Sequence, residues 1–296
     1  MPASTRRADQ LQLVGALFDA SRRSRLPIPA TGGNAAKVKS IAHLDLATAS
    51  NLDGVLFDLD DTLLDHGKLT DVAFTALHRL HASGLRLLAV TGRPSGWGEV
   101  LAIMWPVDGA VTENGTITVL SQGRTVDILD EVDPLTRARR TECRDALVAE
   151  IRERFPYVYP AADVHLRRAD YTFDIGETRS LSSSEVDPIE AYARSRGART
   201  VRSSVHLHVS FDGSDKASGA VRAIVQAFGV DATSARARYA FIGDSENDEP
   251  AFNAFATSVA VANLRGRPTV SPRYRTLAER GRGFAEFADR LVSLRS

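Results

Sequence analysis

Three carboxylates and a hydroxyl follow directly on an apolar segment near residue 55. The segment reads Val55-Leu56-Phe57, and Asp58, Asp60, Asp61 and Thr62 come within the next five positions. Carboxylates this close repel one another unless a cation or a proton lies between them. In open α/β sheets, ligands bind beyond the carboxyl ends of the strands. Taken alone, the segment also suits an Asp-rich turn that caps a strand. Three later segments bear on this choice.

Polar residues end or begin three further predicted elements. Thr91-Gly92-Arg93 follows the apolar run 85–90, Lys216 begins an amphipathic helix, and Gly243-Asp244-Ser245-Glu246-Asn247-Asp248 follows the run 239–242. With the first segment, they supply two sets of carboxylates, a hydroxyl and an ammonium group. Phosphoryl transfer at an aspartate needs such a set. It requires a nucleophile, a proton-exchanging carboxylate, donors for the phosphoryl oxygens and a hard cation with oxygen ligands.

Composition restricts the class of protein. The chain has 296 residues, of which 43% are hydrophobic and 25% charged, as is typical of a globular protein with one large domain or two smaller ones. Its 37 basic and 37 acidic residues give a formal net charge of +0, so no global charge favours nucleic acid or a membrane surface. No apolar run approaches the roughly 18 residues of a membrane span. Cys143 is the only cysteine. We therefore expect a cytoplasmic protein without intrachain disulfides.

The order of strands and helices predicts an α/β fold. Between residues 53 and 115, three apolar strands alternate with amphipathic helices, and the same alternation resumes at 212. Consecutive strand–helix–strand units of this kind favour a parallel sheet. We therefore expect a Rossmann-like parallel-sheet core that is formed by residues 51–115 and 212–296.

A different pattern occupies residues 116–211. Short hairpin strands, two helices and strands of alternating polarity indicate an inserted α+β domain. In the strand at 205–211, His206 and His208 alternate with apolar residues, and this alternation predicts one solvent-facing side. Residues 1–50 are expected to form an N-terminal extension with one short helix.

The four polar segments, in this order, resemble the motifs of the haloacid dehalogenase (HAD) superfamily of phosphotransferases. Asp58-Leu59-Asp60-Asp61-Thr62 resembles the first motif, Asp-x-Asp-x-Thr, although many relatives carry Gly where this chain has Asp61. Thr91 and Lys216 resemble the second and third motifs, and the segment 243–248 resembles the fourth, Gly-Asp-x-x-Asn-Asp. The insertion resembles the type C2 cap of the type IIB branch, which holds sugar-phosphate phosphatases and Cof-like enzymes.

The resemblance implies a role for each motif residue. Asp58 would be the nucleophile and Asp60 the general acid/base. The carboxylates of Asp58 and Asp244 and the backbone carbonyl of Asp60 would bind Mg²⁺. Four residues would bind the phosphoryl group: Asp61, Thr91, Gly92 and Lys216. Four others would support the site: Thr62, Arg93, Asn247 and Asp248.

By the same resemblance, the chain would be a Mg²⁺-dependent phosphatase. It would hydrolyse a small phosphorylated metabolite, expected to be a sugar phosphate, through an aspartyl-phosphate intermediate. Two alternatives remain open: a sugar phosphomutase of the same superfamily and a non-catalytic sugar-phosphate sensor. Asn114 lies at the expected hinge into the cap, and Arg168, Asp174 and His208 lie within it. We expect these four to contact substrate, although the last three also suit a solvated sheet face.

Overall fold

The structure is a computed structural model, and it describes residues 38–203, 205–264 and 271–296. The short helix predicted near the N-terminus lies outside these residues. Within them, nine strands form one sheet in the order β1-β13-β12-β11-β2-β3-β4-β5-β6. Along this order, each strand from β1 through β4 runs parallel to its neighbour. Strand β5 is antiparallel to β4, and β6 is antiparallel to β5. The strands are β1 (Lys39–Ser40), β2 (Gly54–Phe57), β3 (Arg86–Val90), β4 (Gly109–Thr112), β5 (Ile117–Ser121), β6 (Val126–Asp130), β11 (Tyr239–Gly243), β12 (Thr257–Ala260) and β13 (Tyr274–Arg275).

Helices cover both faces of this sheet. Successive residues of β2 alternate between the two layers: Val55 and Phe57 pack on one side and Leu56 on the other. Because both faces are covered, β2, β4, β11 and β12 are buried along their whole length. One layer holds α1 (Leu46–Ser50), α2 (Asp71–Ala82), α3 (Ser95–Met104) and α9 (Arg280–Arg295), and the other holds α6 (Lys216–Phe228), α7 (Ala232–Arg238) and α8 (Glu249–Ala254). The predicted α/β class with a largely parallel sheet is confirmed.

A second, antiparallel sheet of four strands lies in the inserted segment, in the order β7-β8-β10-β9. Its strands are β7 (Tyr159–Pro160), β8 (Tyr171–Asp174), β9 (Arg199–Arg202) and β10 (His206–Ser210), and α4 (Pro134–Arg154) and α5 (Ser183–Ser195) pack on it. Leu207 and Val209 pack against these helices. His206 and His208 alternate with them, yet they are only 3% and 5% exposed. The predicted solvent-facing side of this strand is therefore wrong.

Two predicted boundaries differ from the structure. The hairpin strands β5 and β6 were expected in the insertion, but they pair with β4 and extend the larger sheet. Residues 38–50 were expected in the N-terminal extension, but Ile41 and Leu44 are buried in the core, and β1 pairs with β13. A short polar–apolar segment does not reveal in sequence which sheet edge it joins. The division into a core and a hinged cap remains a proposal.

Among the helices of the described ranges, none is both long and apolar enough to cross a bilayer.

Candidate active site

The first carboxylate follows the central strand β2. Asp58 is buried, and its backbone N–H donates to the carbonyl of Ile242 on β11, 3.0 Å away. This bond continues the parallel ladder between the two strands by one residue beyond β2. The carboxylate is thus held at the carboxyl edge of the sheet, where sequence analysis placed it.

The next residues form a tight turn that returns the chain toward the sheet. Asp61 has φ 58° and ψ 8°, in the left-handed region that favours Gly, Asn and Asp. An Asp side chain is among the few that adopt this conformation readily. The Asp61 carboxylate accepts a hydrogen bond from Arg280 Nε at 3.1 Å. Thr62 is fully buried, and its hydroxyl donates to Asp244 Oδ1 at 3.3 Å, so it supports a carboxylate of the fourth motif.

Lys216 enters the site from the first turn of α6. Asp215 caps this helix by accepting the N–H of Ser218 at 2.8 Å. The helix approaches the turn after β4 so closely that a Cβ on Gly219 would lie 2.4 Å from the Cα of Gly115. Glycine at both positions therefore allows the contact that carries Lys216 to the sheet edge.

The buried ammonium group of Lys216 joins two carboxylates. Its Nζ lies 2.7 Å from Asp58 Oδ1 and 2.6 Å from Asp248 Oδ1. Burial would lower the pKa of Lys216, but Asp248 and Asp58 outweigh it and raise the pKa above its ordinary value. The group therefore stays protonated and holds the nucleophile candidate in one orientation.

Asp248 uses both of its oxygens in hydrogen bonds. Oδ1 accepts from Lys216, and Oδ2 accepts the backbone N–H groups of Asp244 and Ser245 at 3.0 and 3.1 Å. A Cβ on Gly243 would lie 2.4 Å from Asp248 Oδ2, so this turn requires glycine. Asp248 therefore orients both the loop and the ammonium group.

The acidic cluster suits a cation. One oxygen from each of Asp58, Asp244 and Asp248 lies within 4.8 Å of the others, and all three residues are buried. Burial and the neighbouring carboxylates raise the pKa of Asp58 and of Asp244, against the effect of Lys216. One ammonium group thus leaves excess negative charge in a buried site. Carboxylate oxygens are the ligands that Mg²⁺ prefers, so the residues present fit this ion.

Arg93 grips the expected acid/base residue. Its Nε and Nη2 atoms donate to the two carboxylate oxygens of Asp60, each at 2.8 Å. The guanidinium group also lies over the ring of Trp97, with its carbon 4.7 Å from the ring centroid. Asp163 and Glu177 of the inserted segment each place an oxygen 3.5 Å from Arg93 Nη1. Arg93 therefore links Asp60 to the insertion.

The remaining motif residues lie around the same loops. Thr91 is fully buried, and its hydroxyl accepts the N–H of Arg93 at 3.0 Å. Asn247 Oδ1 accepts from the Ser245 hydroxyl at 2.6 Å. Asn114 is buried in a left-handed turn, with φ 55°, and its Oδ1 would lie 3.1 Å from a Cβ on Gly92.

A cavity of about 220 Å³ lies over these residues. It brings together most of the expected site with residues of the small sheet. Of the expected cap contacts, His208 lines it. Arg168 does not, and its half-exposed side chain pairs with Glu99. Asp174 does not line it either, because it accepts hydrogen bonds from its own loop at 176–178. The cavity is lined by Asp58, Asp60, Asp61, Gly92, Arg93, Arg202, Ser203, Val205, His206, His208, Lys216, Asp244, Ser245, Glu246 and Asn247.

Sequence reasoning missed several residues of this region. His206 and Arg202 line the cavity. Glu113 is buried, and its carboxylate accepts N–H groups from Ser95 and from three consecutive residues of the insertion, 168–170. A signal existed for His206, which shares one side of β10 with His208. The partners of Glu113 are distant in sequence and left no local pattern.

Comparisons with known proteins agree with this geometry. Residues 55–132 match the family model of haloacid dehalogenase-like hydrolases. A phosphoglycolate phosphatase of Nitrosopumilus maritimus (strain SCM1) is 28% identical over 249 residues, covering 81% of this chain and 96% of the relative. A solved structure from Thermoplasma acidophilum has a TM-score of 0.67 at 20% identity, covering 82% of this chain and 99% of that one. The sucrose-phosphatase of Synechocystis sp. PCC6803, solved with sucrose and phosphate, has a TM-score of 0.57 at 18% identity, covering 81% and 98%.

The two structural likenesses establish a shared fold, and the family match covers the strands that carry the first two motifs. The predicted family and the predicted enzyme class are therefore confirmed: residues 55–132 of this chain match haloacid dehalogenase-like hydrolases, and the chain is similar to relatives that are named phosphatases.

Proposed function

We propose that the protein is a Mg²⁺-dependent phosphatase that hydrolyses a small sugar phosphate through an aspartyl-phosphate on Asp58. One observation carries the proposal. A buried lysine holds Asp58 at 2.7 Å, beside two further buried carboxylates and beneath a cavity of about 220 Å³. A carboxylate is a weak nucleophile, and a fixed orientation beside a cation lowers the barrier for its attack on phosphorus.

Each reacting group has a separate task. Asp58 attacks phosphorus while the ester oxygen leaves with a proton from Asp60. Asp60 then takes a proton from the water that attacks the aspartyl-phosphate, and inorganic phosphate and free Asp58 result. Lys216 offsets negative charge at the nucleophile and on the phosphoryl oxygens. Thr91 and the backbone around Gly92 lie at the neighbouring strand end and are assigned to the phosphoryl group.

Asp58 and Asp244 are assigned to Mg²⁺, with the Asp60 carbonyl as the third protein ligand. Both carboxylate oxygens of Asp248 already accept hydrogen bonds from Lys216 or from backbone N–H groups, so Asp248 is assigned a supporting role. When bound, Mg²⁺ neutralises charge on the phosphoryl oxygens and orients them for in-line attack.

Arg93 controls the acid/base group. Asp60 cannot give a proton to a leaving group while both of its oxygens bind this guanidinium group. Asp163 and Glu177 offer Arg93 alternative partners in the inserted segment. We therefore propose that movement of a cap, formed by most of this segment, shifts Arg93 between these carboxylates and frees Asp60.

The substrate class follows from the cavity and from the relatives. The cavity suits a small molecule, and residues of the small sheet close it from above the motif loops. Two of the relatives are named for their substrates, a phosphoglycolate phosphatase and a sucrose-phosphatase, and both substrates are small phosphate esters. With a formal net charge of +0, we propose a cytoplasmic enzyme without a nucleic-acid or membrane partner.

The test is phosphate release from a panel of sugar phosphates and an aryl phosphate, with Mg²⁺ and with EDTA. Asp58→Asn should abolish release from every ester. Asp60→Asn should slow the hydrolysis of sugar phosphates by about 10²–10⁴-fold. It should slow the hydrolysis of an aryl phosphate less, because a phenolate leaves with little protonation. Asp71→Asn, a change at an exposed position, is the matched control.

Two outcomes would contradict the proposal. The first is an Asp58→Asn variant that keeps most of its activity. The second is a wild-type protein that returns the phosphoryl group to the sugar as an isomeric phosphate, since this product defines a phosphomutase.

A further inference from the structure

His208 forms a buried pair with a carboxylate of the inserted segment. Its Nδ1 lies 2.8 Å from Asp170 Oδ2. Asp170 also accepts from Arg167 Nη1 at 2.9 Å, and the Arg167 side chain has no exposed surface. Burial alone would raise the pKa of Asp170, but Arg167 and His208 outweigh it and hold this pKa well below its ordinary value. Asp170 is therefore ionised.

This pairing determines the tautomer of the ring. Burial lowers the pKa of His208 below its ordinary value, against the attraction of Asp170, so the ring is neutral. An ionised carboxylate can only accept a hydrogen bond. The proton of the neutral ring therefore lies on Nδ1, and Nε2 keeps its lone pair.

The opposite edge of the ring lies on the loop of the second motif. A Cβ on Gly92 would lie 3.2 Å from His208 Cε1 and 3.4 Å from Nε2. Arg167 Nη1 donates to the Gly92 carbonyl at 3.0 Å and so holds the same loop. Both Gly92 and His208 line the cavity above Asp58. Nε2 thus lies beside the Gly92 loop, which follows the strand end assigned to the phosphoryl group.

We propose that His208 determines specificity by accepting a hydrogen bond at Nε2 from a substrate hydroxyl next to the phosphorylated carbon. Asp170 is the positioning residue that fixes the required tautomer. This inference rests on the proposed phosphatase function and narrows it to hydroxyl-bearing phosphate esters.

The same geometry disfavours a carboxylate at that position. A substrate carboxylate has no proton to donate, so its lone pairs would oppose that of Nε2. By this inference, the substrate preference of this chain differs from that of its relative that is named a phosphoglycolate phosphatase.

Three small phosphate esters test the inference in the full-length protein with Mg²⁺. They are 2-hydroxyethyl phosphate, ethyl phosphate and 2-phosphoglycolate. The group attached to the phosphorylated carbon is a hydroxymethyl group in the first, a methyl group in the second and a carboxylate in the third. Wild-type kcat/KM should be about tenfold higher for the hydroxyethyl ester than for ethyl phosphate, the effect of one hydrogen bond, and lowest for 2-phosphoglycolate.

Two variants separate positioning from folding. His208→Phe removes the hydrogen-bond acceptor, so the kcat/KM values for 2-hydroxyethyl phosphate and ethyl phosphate should come to within about twofold of each other. In Asp170→Asn the amide can donate to Nδ1, so the ring proton moves to Nε2. The kcat/KM for 2-phosphoglycolate should then rise relative to that for the hydroxyethyl ester. His165→Phe, at an exposed histidine of the same segment, should keep the wild-type order.

An aryl phosphate distinguishes the possible failures. If the wild-type protein hydrolyses the aryl phosphate but handles 2-phosphoglycolate as well as the hydroxyethyl ester, the inference is overturned and the phosphatase proposal stands. Unchanged preferences in His208→Phe would also overturn it. If no ester is hydrolysed at all, the proposed function fails and the inference fails with it.

Discussion

Replacing Lys216 with methionine should destabilise the metal-free protein through charge rather than through packing. Its Nζ lies 2.7 Å from Asp58 Oδ1 and 2.6 Å from Asp248 Oδ1, and all three residues are buried. Methionine keeps a similar length and an unbranched shape but has no charge. Asp58, Asp244 and Asp248 would then share a buried site without a cation.

The expected loss follows from these distances. At an effective dielectric constant of about 20, two unit charges about 2.7 Å apart attract by roughly 6 kcal/mol. The desolvation of the lysine offsets part of this attraction. Breaking a buried ion pair by removing one partner typically lowers the free energy of unfolding by about 3–5 kcal/mol. We expect a loss in this range at neutral pH.

The loss should also depend on pH. Burial and neighbouring carboxylates already raise the pKa of Asp58 and Asp244 in the folded protein, and removal of Lys216 should raise both further. A group with a raised folded pKa contributes stability at low pH and loses it as pH rises through that pKa. A proton can therefore replace the ammonium group at about pH 6 but not at about pH 9, so the loss should grow across this interval.

The assay is urea unfolding in EDTA at several pH values. Lys68→Met, at an exposed lysine, is the matched control and should change the free energy of unfolding by less than about 0.5 kcal/mol. Adding Asp58→Asn to Lys216→Met should recover part of the loss, because it removes one of the unpaired charges. A Lys216→Met protein as stable as the control, or equally destabilised at every pH, would refute the reasoning.

Three further predictions concern the metal, a glycine and pH. EDTA should abolish phosphatase activity and added Mg²⁺ restore it; undiminished turnover in EDTA would contradict a metal-dependent reaction. Gly243→Ala should weaken activation by Mg²⁺ in a metal titration, because its Cβ would lie 2.4 Å from Asp248 Oδ2, whereas Gly213→Ala, with open space around it, should not; equal effects would show that the close approach is unimportant. Acidification below about pH 6.5 should destabilise the wild type more than His208→Phe, because the unfolded histidine takes up a proton that burial denies the folded one; parallel unfolding curves would exclude this.

The core could be predicted because its signals are local. Asp58, Thr91 and Asp244 each follow an apolar run directly, so strand geometry alone brings them to one sheet edge. Lys216 begins an amphipathic helix, and its capping residue precedes it in the sequence. The family match and the observed sheet confirm that interpretation of the fold.

The cap resisted prediction because its decisive contacts join distant segments. Alternation along β10 shows that His206 and His208 share a side, but it does not show that this side faces the motif loops. The contact of His208 with Gly92 depends on how the inserted sheet lies over the core. The bidentate bond from Arg93 to Asp60 likewise joins two loops that are 33 positions apart.

The most direct test of the central claim is to find the covalent phosphoryl group. The Asp60→Asn variant should accumulate it from an aryl phosphate with Mg²⁺, since the water that would release it lacks a base. After an acid quench, peptide mass spectrometry should place the phosphoryl group on Asp58, and hydroxylamine should remove it. Its presence on another residue, or wild-type turnover by Asp58→Asn, would contradict the account.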